Sequence, residues 1–168
     1  MKNILFLLLL SSQLYSQESR FRITGVEKLN DSLIQKTGEL MIFNNTGHQI
    51  CLKVSTSFYS NILSSDTIEL AAENIGNNCL GFNLGVTKAD AKMGLYDIPQ
   101  YPLVLNSRTC FFATISLLKN INCKNSWIEF SYLNDPSIEY DDLVKKFDNH
   151  QVWNIDPKIK YRSRKVYF

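Results

Sequence analysis

The chain has 168 residues, 45% of them hydrophobic, with 18 Lys and Arg against 16 Asp and Glu. That length suits one domain around one core. The near balance of charge excludes a general binder of nucleic acid or anionic membrane, which would need a basic surplus to neutralise phosphates.

In chain order, the first feature is an export signal. Lys2 supplies a positive start, Ile4 to Leu10 is an unbroken apolar run, and Ser11 to Ser16 is largely polar and small, the layout of a secretory signal peptide spanning residues 1–16. The run falls far short of the roughly 20 apolar residues a membrane-spanning helix needs, so cleavage after Ser16 is expected, with no transmembrane helix in the product. No Cys follows the run to carry a lipid. The Tyr15-Ser16-Gln17 junction resembles the export signals of certain Gram-negative bacteria, which implies a periplasmic or extracellular product of residues 17–168.

Period-two alternation dominates the rest of the chain. Gly38 to Asn44 and His48 to Ser57 place apolar residues at every second position: Leu40 and Ile42, then Ile50, Leu52 and Val54. The turn-forming Asn44-Asn45-Thr46-Gly47 between them predicts a hairpin. Further strands are predicted at Asp66 to Ala72, Cys79 to Val86, Tyr101 to Leu105, Arg108 to Leu118 and Ser126 to Leu133, separated by Asn- and Gly-rich punctuation. Strands at this spacing indicate a mainly β, antiparallel β-sandwich of immunoglobulin-like kind, with a small β-barrel as the alternative.

Two segments break the alternation. Thr87 and Asp90 fit a capping box for a short helix over Thr87 to Met93, which Gly94 could end. Near the C-terminus, Asp135-Pro136 predicts the start of a second helix, with Tyr140, Leu143, Val144 and Phe147 on one face. The basic run Lys158 to Phe168 reads as a final edge strand whose charges discourage pairing with other chains. As an outer-membrane barrel strand it would set Lys160, Arg162 and Arg164 where apolar residues belong.

The cysteines, Cys51, Cys79, Cys110 and Cys123, are too dispersed for a zinc site, and an exported chain can keep disulfides. If successive strands alternate in direction, Cys51, Cys79 and Cys110 lie at one end of the sheet and Cys123 at the other. Cys51 with Cys79 is then the expected bridge, Cys51 with Cys110 the alternative, and Cys123 is left unpaired.

Catalytic patterns do not emerge. His48 borders a turn and His150 follows the predicted helix; neither lies in a nucleophile, metal or phosphate-binding motif, and no cofactor is implied. The sequons at Asn30 and Asn44 matter only in a eukaryotic secretory pathway. The residues nominated for ligand binding are Tyr96 and Tyr101, in the rigid loop Leu95 to Pro102, and Trp153. Both tyrosines could instead anchor that loop to the core. The expectation is an exported, non-enzymatic binding or interaction module for an unknown protein or glycan, the alternatives being an enzyme with an unrecognised site or an outer-membrane barrel.

Overall fold

Alternation becomes strand almost wherever it occurs. The computed structural model describes residues 18–94, 100–142, 144 and 161–168, and in these the strands are β1 Glu18–Lys28, β2 Leu33–Phe43, β3 Ile50–Ser55, β4 Ile68–Asn74, β5 Leu80–Thr87, β6 Gln100–Leu105, β7 Cys110–Asn120, β8 Trp127–Leu133 and β9 Arg162–Tyr167. Residues 1–16, expected from the sequence to be a signal peptide, lie outside the described residues. β1 and the first half of β2 had no sequence prediction: their charged residues and the bulge between Ile23 and Gly25 interrupt the period of two.

The strands join in the order β1-β2-β7-β4-β5-β8-β3-β6, with β9 on the other side of β8. Among the described residues the sheet is open, so it is no closed barrel. It is also mixed rather than antiparallel throughout: β4 pairs β7 in parallel over Ile68 and Glu69, and β5 pairs β8 in parallel over Gly81 to Asn83. The expected hairpin does not form. β2 pairs β1 and β7, whereas β3 pairs β6 and β8, so the segment after Phe43 is a crossover between distant strands.

A buried side chain holds that crossover in place. Asn44 is fully buried; its Oδ1 accepts from the Thr46 amide and hydroxyl, and its Nδ2 lies 2.9, 2.9 and 3.0 Å from the carbonyls of His48, Leu105 and Asn106. A buried segment off the ladder must satisfy its backbone locally, and Asn44 does this for two connections at once.

A large apolar cluster unites the strands, and a smaller one gathers Cys51, Leu133 and Tyr140. Leu40 and Ile42 of β2, Leu52 of β3, Phe82 of β5, Ile115 of β7 and Phe130 of β8 belong to the same buried cluster, each contributing about 1.5–3 kcal/mol by leaving water. Phe168, beyond β9, packs edge-on against Phe21 of β1, with ring centroids 5.6 Å apart, and against Phe82. Gly38 permits this end of the core to close, since a Cβ there would lie 2.4 Å from the Arg22 carbonyl and 2.6 Å from the Phe21 ring.

Among the described residues, two short helices, α1 (Thr56–Ser64) and α2 (Lys88–Lys92), flank the sheet. α1 begins where the sequence suggested strand, because the Ser55 hydroxyl caps the Phe58 amide and Phe58 then turns into the core. α2 carries the predicted capping box between Thr87 and Asp90, with Gly94 at φ +64° just beyond it. The predicted C-terminal helix starts late. Asp135 accepts from the Ser137 amide and hydroxyl in a local turn, and the backbone becomes helical only at 140–142 and 144. The stretch that would carry Phe147 lies outside the described residues.

The disulfide assignment is corrected. Cys79 is bonded to Cys123, with Cα atoms 5.2 Å apart, while Cys51 and Cys110 are free. The expectation of a Cys51–Cys79 bridge assumed alternating strand directions. Because β5 runs parallel to β8, with Gly81 opposite Trp127, the approaches to both strands lie side by side and bring Cys79 to Cys123. Cys51 instead sits within β3, opposite Leu133 and Val104, where burial pushes its thiol up to about 12 and leaves it unreactive.

Candidate functional site

Of the residues nominated from sequence for ligand binding, Tyr96 and Trp153 lie outside the described residues. Tyr101 is in β6 opposite Val54, half-buried, its ring stacked on that of Tyr59 with centroids 3.6 Å apart and planes 17° from parallel. Tyr59 is there because Ser55 starts α1 directly after β3. Pro102 beside it is buried, so the described foot of the loop is fastened to the fold by an aromatic pair.

The polar clusters serve the fold. Asp90 is almost fully buried and receives the hydroxyls of Ser57 and Thr87 and the Thr87 amide. Desolvation raises its pKa, but these hydrogen bonds, with one from Ser55, outweigh it and hold the carboxyl below its ordinary value. A carboxylate so stabilised is a poor base for activating Ser57. His48 bonds through Nε2 to the side chain of Asn134, an amide rather than a carboxylate. Among the described residues no three His, Cys, Asp or Glu side chains converge as a metal site requires.

A concave site opens where the sheet splits. β4 and β7 pair only at Ile68 with Ile115 and Glu69 with Ser116; beyond that point β4 follows β5, β7 continues beside β2, and a groove of about 380 Å³ lies between them. Its walls include Ala71 and Ala72 of β4 and Leu117 and Leu118 of β7, with Ala91 and Lys92 of α2 as the third side. Small side chains keep it open. Lys88 and Glu69 meet at the rim, 2.8 Å apart and each about half exposed, a pair worth at most about 1 kcal/mol.

The register shows which backbone groups face the groove. Ile121 donates to the Ser32 carbonyl and Asn44 to that of Thr109, so along the β2–β7 ladder the odd-numbered residues of β7 direct their peptide groups to β2 and the even-numbered ones away from it. Leu118 is therefore turned toward the groove, past the end of the pairing with β4. On the opposite wall, Ile75 donates to the Cys79 carbonyl and Glu73 pairs with Gly81, which turns Ala72 away from β5 and toward the same gap. Two strand edges with donors and acceptors thus confront each other across an apolar cleft.

Comparison with protein-family models, with curated proteins and with solved structures finds no significant match. Composition could have hinted at the three alanines, but nothing in the sequence marks the groove, because it exists only through the divergence of β4 from β7.

Proposed function

We propose that the chain is an exported, non-enzymatic binding module of the periplasm or the cell exterior, built as an immunoglobulin-like β-sandwich, and that its ligand occupies the groove between β4, β7 and α2. The observation that carries this reading is the groove itself: a mostly apolar concavity with a few placed polar groups, the usual form of a binding site. The polar clusters at Asn44 and Asp90 support it by being occupied with folding. Support for a sandwich comes from the large buried cluster shared by β2 and β7 with β3, β5 and β8. The Cys79–Cys123 bond is compatible with an oxidising compartment.

The stacked Tyr59 and Tyr101 are read as an anchor for the loop at 95–102, with Tyr96 and Trp153 as the remaining candidates for a second surface that would take a protein or a glycan. NMR titration of the isotopically labelled protein with peptide, oligosaccharide and small-molecule collections tests both surfaces together. Expected are ligand-dependent shifts at Ala72, Lys92 and Leu118. Shifts confined to Tyr96, Tyr101 and Trp153 would move the site to that second surface, and turnover of any added compound would overturn the non-enzymatic reading.

A further inference from the structure

We propose that the groove binds an extended peptide segment carrying an acidic residue, taken up as an added strand at the confronting edges of β4 and β7. This rests on the binding-module reading and names its ligand class. Strand addition needs a sheet edge whose peptide groups are not already in a ladder, together with pockets for alternate side chains. Both are present: the peptide groups of Leu118 and Ala72 point into the gap beyond the last β4–β7 pair, and Ala71, Ala91 and Leu117 line the space beside them.

The lining discriminates among ligand classes. Among the described residues it contains no aromatic ring, whereas sugar recognition relies on flat aromatic faces. An extended polypeptide brings donors and acceptors at the strand spacing, so it answers both edges with its backbone alone. Charge selects further. Among the described residues the rim holds Lys88 and Lys92 against Glu69, and because Glu69 already pairs with Lys88, the charge left over among them is positive and favours an acidic residue on the incoming segment.

Edge strands are normally blunted by bulges, charge or cover. β7 is covered by β4 at Ser116 and by nothing of this ladder at Leu118, and the bulge between Leu70 and Ala72 bends β4 away rather than sealing the gap. The opening is thus produced by the same irregularity that lets β4 leave β7 for β5.

The test uses the purified, 15N-labelled protein and the hexapeptide acetyl-Glu-Val-Thr-Val-Thr-Glu-amide. At saturation the amide hydrogens of Leu118 and Ala72 should exchange about tenfold more slowly, and the same peptide N-methylated at both valines should bind about tenfold more weakly, as the loss of two hydrogen bonds requires. Ala91→Trp, on the exposed side of α2, should fill the groove and abolish binding without altering the fold. Lys92→Glu should weaken binding severalfold and be rescued by the peptide with Lys in place of Glu. Equal binding of the N-methylated peptide, or unchanged exchange at Leu118, would overturn strand addition. If no peptide binds while an oligosaccharide or small molecule shifts the groove amides, this inference falls and the binding-module reading stands; if no ligand class shifts them, both fall.

Discussion

Cys79 and Cys123 are joined across the approaches to β5 and β8, strands that run in the same direction although the chain places β6 and β7 between them. The bridge closes a loop of sequence separation 44, which in the chain-entropy model contributes about 4 kcal/mol. Replacing both cysteines by Ser should therefore lower the unfolding free energy by several kcal/mol in denaturant titration. Non-reducing peptide mapping should recover Cys79 joined to Cys123. Cys110, partly exposed, should alkylate in the native state, and buried Cys51 only after unfolding; a Cys51–Cys79 peptide would refute the parallel pairing.

Tyr101→Ala should destabilise the fold by about 2–4 kcal/mol, below the range for a fully buried ring because Tyr101 is half-buried. A double-mutant cycle with Tyr59→Ala should return a coupling of about 0.5–1.5 kcal/mol for the stacked pair. Thermal unfolding at wild-type stability in Tyr101→Ala would show that the ring is not an anchor.

Asn44→Ala should cost about 3 kcal/mol or more, since it removes a fully buried amide beside the carbonyls of His48, Leu105 and Asn106. Asn44→Asp should be equally damaging: a carboxylate can keep the bonds from Thr46 but cannot donate to the carbonyls. Equilibrium unfolding of the two variants checks this, and a stability loss under about 1 kcal/mol in either would contradict the bracket role.

Asp90 couples stability to acid. Burial raises its pKa, the hydrogen bonds from Ser57, Thr87 and Ser55 lower it further than burial raises it, and the net direction is downward. A depressed folded-state pKa means that the stabilisation is complete above the unfolded value of about 3.9 and is lost as pH falls through the folded value. Stability should thus decline below about pH 4 with a contribution that Asp90→Asn removes. An unchanged acid slope in that variant would assign the decline to other carboxylates.

Cleavage after Ser16 should leave a product beginning at Gln17, with neither lipid nor transmembrane helix. Intact-mass measurement of the exported protein checks the cut, and recovery only in detergent-extracted outer membrane would overturn the reading of a product free of the membrane.

Local chemistry was legible in the sequence. Alternation of Leu40 with Ile42 and of Leu52 with Val54 marks strands because side chains two apart share a face, and the Thr87–Asp90 capping box is complete within one turn of helix, so no distant residue was needed to find it. α1 escaped because the alternation through Val54 runs into a serine that caps instead of continuing the strand. The partners of each strand were decided only by the tertiary structure. Whether β3 follows β2 as a hairpin or crosses to β6 and β8 depends on Asn44 reaching Leu105 and Asn106, residues remote in sequence. The disulfide depends on β5 lying parallel to β8, and the groove on β4 leaving β7 after Ser116. Each is a relationship between segments that share no local pattern, settled by which packing buries the core and satisfies the backbone together.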